Sequence, residues 1–461
     1  MPSTLARQDF LRLIEIFEHH PDFRTEIDRW HLIDRAFQGM DRGSAVSAGL
    51  NLGGAAGQAA TALVTRLDHF GCLGEQHCLT LVLEAIRDKS GDDQRPELDR
   101  LILALDGRCR PAQDRAGGAI LHLSDLHFGT LAEARNWHSQ IAQDLTVELG
   151  CRRLDGLICS GDLGTFSTDA EYAATVEFLN RLGNEFGLAP ERIVLVPGNH
   201  DLDWGLSQAA YDPGVPAVYA AAQKKSDDKE LRRWIVKGRA YQVRDEARYR
   251  RRFDHFSAHC HQPVKGSPYP ADYPDQFAFH HWADLDVLVL GLNSAWEIDH
   301  HHRDRADIHP EAVSQALDTL RARPDWAGCL KIAVWHHPLN SGQPSRITDH
   351  GFVDRLAQAG FRLGLHGHIH KGETSQYRYD QPPGGRGLEI LAAGTFGAPS
   401  RDWVPGYPLQ YQLLRLTRAG TGRRLTVETR RREQPNGAWK PDARWLQGPG
   451  QDPLPRYWLD L

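Results

Sequence analysis

The sequence predicts an α/β domain preceded by a small all-α helical bundle. Three features predict it. Apolar residues recur at three-to-four spacing through the first hundred residues, a polar stretch with Pro and Gly follows, and from residue 118 short β-rich runs alternate with amphipathic segments. With 461 residues, 41% hydrophobic and 25% charged, the chain has length for two or three domains and an ordinary globular composition.

Residues 1–106 divide into five amphipathic segments: LARQDFLRLIEIFEH, IDRWHLIDRAF, AATALVTRLDHFG, HCLTLVLEAIRD and PELDRLILAL. Gly39, Gly71 and Gly91 stand where helices would stop, and Pro96 where one would begin. The segment LGGAAG lacks the GK[ST] of a phosphate loop and reads as a helix start or a packing feature. Residues 107–117 read as a linker, after which the α/β domain runs from 118 to 432.

In that domain the strand-like runs are AILHLSD (119–125), GLICSGD (156–162), RIVLVPGNHD (192–201), DVLVLGLNS (286–294), KIAVWHHP (331–338), RLGLHGHIH (362–370) and LEILAAGTFG (388–397). Their continuous apolar character suits strands covered on both faces. The stretches NWHSQIAQDLTVEL and EYAATVEFLNRLGNEFG between them read as helices. Residues 205–280 interrupt the alternation with charged, aromatic sequence read as helical, DKELRRWIVKGRAYQVRDEARYRRRFDHF, placed to act as a cap. YQLLRLTRAGTGRRLTVETRRRE reads as a closing β-hairpin, and residues 433–461 as a tail packed on the domain.

Composition narrows the function classes. No apolar run approaches the roughly 20 residues that span a bilayer, so no membrane association is expected. The first segment carries acidic residues and no small-residue cleavage site, which points to the cytoplasm. Seven scattered cysteines without a CxxC pair argue for reduced thiols rather than disulfides or a zinc ribbon. A net charge of −6 leaves no global footprint for nucleic acid. The 24 histidines are the unusual feature, and several directly follow strand-like runs.

Five runs end in metal-ligand residue types: Asp125 and His127; Asp162; Asn199 and His200; His336 and His337; and His366, His368 and His370. Strand carboxyl ends are where α/β sheets gather ligand sites. A spacing of two returns to the same face of an extended chain, which would pair Asp125 with His127 and His368 with His370. Gly161, Gly198 and Gly367 leave room beside these residues. Carboxylate, imidazole and amide donors without thiolate suit Mn, Fe, Zn or Ni better than Mg or Ca.

The ordered set SDLH, SGDL, GNHD, HH and HGHIH resembles the calcineurin-like metallophosphoesterase superfamily over residues 118 to about 430. The resemblance implies a four-layer α/β/β/α sandwich and two divalent metal ions, Mn²⁺ foremost with Fe, Zn or Ni as alternatives. It implies that Asp125, His127, Asp162 and His370 hold one ion and Asp162, Asn199, His336 and His368 the other. His200 would stand near the leaving group as a catalytic residue. Asp201 is assigned with it, orienting His200 or its loop. His336 is taken over His337 from its place at the strand end.

Other clusters read as structural. His300, His301 and His302 cannot share one strand face, and His259 and His261 around Cys260 would diverge on a helix. Arg248, Arg250, Arg251 and Arg252 could grip a phosphate backbone, though a charged helix face is the commoner reading.

The segments RWHLIDRAFQG, AATALVTRLDHFG and HCLTLVLEAIRDKSGDDQRPELDRLILAL resemble the effector-associated, death-like domains of bacterial conflict systems. That resemblance implies a protein partner for residues 1–106. The expected function is phosphodiester hydrolysis by a bridging hydroxide in a dinuclear site, performed by a recruited effector enzyme on a phosphoester such as a nucleotide or nucleic acid. Competing readings are a housekeeping small-molecule or nucleotide phosphatase, and a non-catalytic metal-binding scaffold.

Overall fold

A computed structural model describes residues 7–38, 46–47, 49–73, 76–87, 89–91, 94–106, 117–225, 231–238, 240–341, 345–380, 382, 385–419, 422–443, 445–446 and 453–461. Gly39 and residues 107–116 of the expected linker lie outside these. The chain divides into two units, 1–116 and 117–461.

The first unit has the five expected helices: α1 (Arg7–His19), α2 (Glu26–Phe37), α3 (Ala56–Phe70), α4 (Cys78–Arg87) and α5 (Arg95–Asp106). A reciprocal cap starts α2, with the Thr25 hydroxyl accepting from the Asp28 backbone and the Asp28 carboxylate accepting from the Thr25 backbone. Leu13, Phe17, Leu32, Leu63, Val82 and Ile86 share one core. Arg29 is buried beside it and donates to the carbonyls of Phe23, Leu52 and Gly54, so its guanidinium ties chain turns together through satisfied hydrogen bonds. A two-residue-a-side hairpin, β1 (Cys72–Leu73) with β2 (Gln76–His77), separates α3 from α4. Helical periodicity gave no sign of so short an element.

The second unit is built on two large sheets. One runs from β5 (Ile193–Val196) through β4 (Gly156–Ser160) to β3 (Gly118–Leu123), all parallel. A long antiparallel hairpin, β15 (Leu409–Ala419) and β16 (Gly422–Arg432), extends it beside β3. The other sheet has a parallel centre, β10 (Val287–Leu292), β11 (Leu330–Val334), β12 (Phe361–His366) and β14 (Gly387–Ala393). Antiparallel edges β9 (Phe277–Trp282) and β13 (Gly372–Arg378) complete it. Tail segments Lys440–Pro441 and Arg456–Asp460 pair with β16.

Period-two alternation explains the layering. Ile120, Ile158 and Val194 turn inward to Val289, Ile332, Val334 and Leu365 of the other sheet. Leu121, Leu123 and Leu157 turn outward, under Trp137 and Ile141 of α6 (Leu131–Gln143) and Phe178 and Leu182 of α7 (Asp169–Phe186). On the opposite outer face Leu290 and Trp335 meet Val313 and Leu317 of α8 (Pro310–Arg321) and Val353 and Leu356 of α9 (Gly351–Gln358). The unit is therefore an α/β/β/α sandwich, the expected fold.

The segment between β5 and β9 departs from expectation. β7 (Trp234–Lys237) and β8 (Ala240–Arg244), read as helical, form an antiparallel hairpin, and β8 also pairs with β6 (Tyr211–Pro213). Their β-branched and aromatic residues favour a strand, and Gly238 at φ 61° fits the tight turn between them. Glu246–Arg250, capped by Asp245, keeps the helical form, as do Arg251–Phe253, Phe256–His261 and Gln262–Lys265 after it. Residues 277–280, placed inside the insertion, belong to the sheet edge. Cys78, Cys151, Cys159 and Cys260 are buried free thiols and Cys329 is a partly exposed one.

Candidate metal centre

The five strand ends singled out by sequence are the carboxyl ends of β3, β4, β5, β11 and β12, and the residues beyond them meet. The chain turns sharply at several of these ends. Asp125, His127, Asp162, His368 and His370 take left-handed backbone at φ 54°, 49°, 54°, 69° and 53°. Such angles are uncommon outside glycine and mark strain held in place by surrounding structure. Asp125 N donates to Gly161 O (3.0 Å), Leu126 N to Asp162 O (2.9 Å) and Gly367 N to His336 O (3.0 Å), tying the loops to one another. A Cβ on Gly198 would lie 2.2 Å from Asp162 Oδ1, and one on Gly367 1.7 Å from Ser124 Oγ, so both positions need glycine for close approach.

These turns correct the same-face argument. His368 and His370 line the same cavity but fall in different ligand clusters, whereas Asp125 and His127 share one. Ligand atoms gather as Asp125, His127 and His370; as Asp125, Asp162 and His336; and as His336, His337 and His368. His370 Nε2 lies 3.2 Å from Asp125 Oδ1, His336 Nε2 3.0 Å from Asp162 Oδ2, and His368 Nδ1 3.3 Å from His336 Nε2. His366 stays buried within β12 and joins none of these groups.

Asp125, Asp162 and His336 are out of solvent. Burial raises a carboxyl pKa, but His370 outweighs it and holds Asp125 down to about 2. Burial opposes the charge of His336 and His370, yet Asp162 and Asp125 respectively push both up to about 9. The buried carboxylates thus draw in positive charge. His127 Nε2 and Asn199 Oδ1 are buried with no hydrogen-bond partner. Orphaned donors of that kind, beside two carboxylates and further imidazoles, fit a divalent cation of the Mn, Fe, Zn or Ni type.

Outer contacts orient the rings. His336 Nδ1 donates to Ser160 O (2.7 Å) and His370 Nδ1 to Asp402 O (2.8 Å), which directs each Nε2 lone pair inward when neutral. Ser294 Oγ accepts from the backbone N–H groups of His336 and His337, so its own proton goes to His337 Nδ1 at 2.8 Å. His337 Nε2 then carries a hydrogen, and His336 is the better donor of the two. His200 Nδ1 donates to Thr165 O (2.8 Å), while Thr165 Oγ1 contacts His127 Nδ1 (3.3 Å). Asp201 reaches the loop and not the ring: its carboxylate accepts from the backbones of Leu163, Gly164 and Gly198 and from Tyr172 Oη. Ser345 Oγ lies 2.6 Å from His368 Nε2. Sequence reasoning missed Thr165, Ser294, Ser345 and Asp402. Ser294 closes a strand-like run and was available to suspicion, whereas the others sit in loops with no motif.

Residues of the other singled-out clusters contact neighbours outside the ligand groups. Asp299 is buried and accepts from Tyr211 Oη (2.6 Å), Tyr249 Oη (3.1 Å) and the backbones of His301 and His302. His300 Nδ1 meets Ser207 Oγ. His259 pairs with Asp169 and His261 with Ser267 O, pointing apart. Arg248 pairs with Asp212, Arg250 with Asp272 and Arg251 with Asp254, while Arg252 is buried against Tyr249.

A cavity of about 420 Å³ opens over the centre, where His127, Asp162, His200, His368 and His370 form its floor. Thr165, Phe166, Ile369, Arg401, Asp402 and Val404 complete the lining, with no described residue of 205–280 among them. Aromatics of the expected cap pack elsewhere: Tyr219 meets Trp234 edge-on and Tyr241 at a tilt, and Arg303 lies over Trp204.

Residues 7–105 match the family described as effector-associated domain 8, and residues 118–372 the calcineurin-like phosphoesterase family. Comparison with curated protein sequences gave no match. Among solved structures, PhoD is similar at 10% identity over 70% of this chain and 68% of its own, with a TM-score of 0.38. TT1561 of Thermus thermophilus is similar at 14% identity over 64% and 93%, with a TM-score of 0.30. Vacuolar protein sorting 29 from Cryptosporidium parvum is similar at 12% identity over 70% and 96%, with a TM-score of 0.29. Since the phosphoesterase match covers more than half of the chain, the protein belongs to the calcineurin-like phosphoesterase family and carries an effector-associated domain 8 ahead of it.

Proposed function

We propose that this metal-dependent phosphoester hydrolase is a phosphodiesterase with a dinuclear site, brought to its target by the N-terminal domain. The observation that carries the reading is the buried convergence of ligand atoms from five strand ends, with His127 Nε2 and Asn199 Oδ1 lacking partners. Asp125, His127, Asp162 and His370 would hold one ion, and Asp162, Asn199, His336 and His368 the other. Two such ions supply the charge that activates water and neutralises the phosphoryl oxygens. Mn²⁺ is the first choice, with Fe, Zn or Ni as alternatives.

The protein's own groups do the rest. Ser160 and Asp402 carbonyls hold His336 and His370 in register. The Thr165 carbonyl takes the Nδ1 proton of His200, so a charged His200 can pass its Nε2 proton to the departing oxygen. Asp201 is a positioning residue that clamps the loops after β4 and β5. The pairing of Arg248, Arg250 and Arg251 with carboxylates removes the one sequence feature that favoured a long nucleic acid, and supports a small phosphodiester.

An effector role is supported by the effector-associated domain, whose family character suggests a protein partner. Free buried thiols suit the cytoplasm. The test is hydrolysis of bis-p-nitrophenyl phosphate by the full chain, with metal analysis alongside. Turnover that needs Mn²⁺, stops with chelator and is lost in Asp162→Asn supports the reading. Bound metal with no turnover of any phosphoester would make the protein a scaffold instead.

A further inference from the structure

The loop between β4 and α7 places an aromatic ring in water at the mouth of the centre. Phe166 is 67% exposed and lines the same cavity as His127, His200 and His370. The preceding residue, Thr165, contacts His200 through its carbonyl and His127 through its hydroxyl. The loop is braced around the ring. Phe166 N and Thr168 N both donate to Glu171 Oε2 (3.0 and 3.1 Å), Ser167 Oγ meets Tyr172 Oη (3.0 Å), and His255 Nδ1 donates to Ser167 O (3.0 Å). Ser167 takes left-handed backbone at φ 58°. A loop so thoroughly tied, and strained at the next residue, presents its Phe to solvent by construction.

We infer that Phe166 is a stacking platform for a nucleobase, and that the substrate is a phosphodiester of nucleotide size. This rests on the phosphodiesterase reading. Every base has a flat face that an aromatic ring accepts, and stacking needs no hydrogen-bond partner at the rim. Phe166 stands one residue, about 3.8 Å along the chain, beyond a residue that touches the centre. A cavity of about 420 Å³ lies toward the small end of ligand pockets, and, histidines aside, Arg401 is the one basic side chain in its described lining.

The experiment uses the full chain with Mn²⁺ and two substrates, the deoxyadenosine dinucleoside monophosphate and the same diester with an abasic sugar replacing one nucleoside. Stacking predicts that the kcat/KM ratio favours the intact dinucleotide by roughly tenfold. That preference should collapse in Phe166→Ala and persist in Phe166→Trp. Calorimetric titration with AMP should show a Kd roughly tenfold weaker in Phe166→Ala. Rates on 3′,5′-cyclic AMP against the dinucleotide then tell cyclic from linear substrates. Cleavage with an unchanged ratio and unchanged AMP affinity in Phe166→Ala would overturn the inference and leave the phosphodiesterase reading standing. Phe166-dependent AMP binding without cleavage of either diester would keep the nucleotide site and sink the phosphodiesterase reading.

Discussion

Asp162 at the metal centre and Asp299 beside the insertion are both buried carboxylates, and they live in opposite surroundings. Asp299 is surrounded by neutral donors, two tyrosine hydroxyls and two backbone N–H groups, which do the work of water. Asp162 takes one backbone N–H, from His200, and otherwise faces the imidazole of His336. Neutral donors leave a carboxylate with little further demand for a cation. Titratable neighbours leave it in need of positive charge, which either protons or a metal can supply. The contrast teaches that burial and charge alone do not mark a reactive acid; the chemical type of its partners does.

The largest test of the contrast is Asp162→Asn. It should reduce kcat/KM on a diester by roughly a thousandfold or more while the circular dichroism of the folded chain is kept. Asp299→Asn should do the reverse. An amide N–H₂ now meets donors, so unfolding by urea should show a loss of about 1–3 kcal/mol, with metal stoichiometry unchanged. If Asp299→Asn abolished metal binding instead, the division between the two carboxylates would fail.

A smaller effect is expected at the contact between the centre and its rim. Thr165→Val removes the hydroxyl beside His127 Nδ1 and keeps the carbonyl that holds His200. Metal affinity by calorimetry should weaken by about tenfold, the lower end for an orienting contact.

The last effect emerges only as pH falls and concerns a buried imidazole kept neutral. His122 lies between Ser160 Oγ and Gln412 Oε1, and burial lowers its pKa to about 3. Between pH 6.5 and about 3 the unfolded chain binds a proton that the folded chain refuses. Stability contributed by this group is therefore present above about pH 6.5 and lost as pH falls, by at most about 1.4 kcal/mol per pH unit. His122→Gln should flatten the slope of metal-free urea midpoints against pH across that window. An unaltered slope would place the acid sensitivity elsewhere.

Legibility from sequence differed by region for physical reasons. Helical periodicity found α1 to α5 because each buries one face in a shared core, as Leu63 and Val64 of α3 do. The hairpin-extended sheet and its partner were visible as apolar runs because both faces of strands such as β4 are covered. The segment Trp234–Arg244 was misread because charged residues at scattered spacing mimic a helical face, and its pairing partner β6 lies more than twenty residues away. The expected cap aromatics pack with one another, and the rim comes from Phe166 and Arg401 instead.

The sequence by itself determined which residue types stand at the carboxyl ends of the strands, and so the class of chemistry. Motif order is local information, since each ligand sits within a few residues of the apolar run that carries it. Tertiary structure supplies the geometry behind the division that the family resemblance implied. His368 joins His336 while His370 joins Asp125, because left-handed turns at both residues break the extended geometry on which sequence spacing relies. It also decided which of two adjacent histidines offers a lone pair. That depends on whether Nδ1 meets the Ser160 carbonyl or the Ser294 hydroxyl, and both partners come from strands far away in the chain.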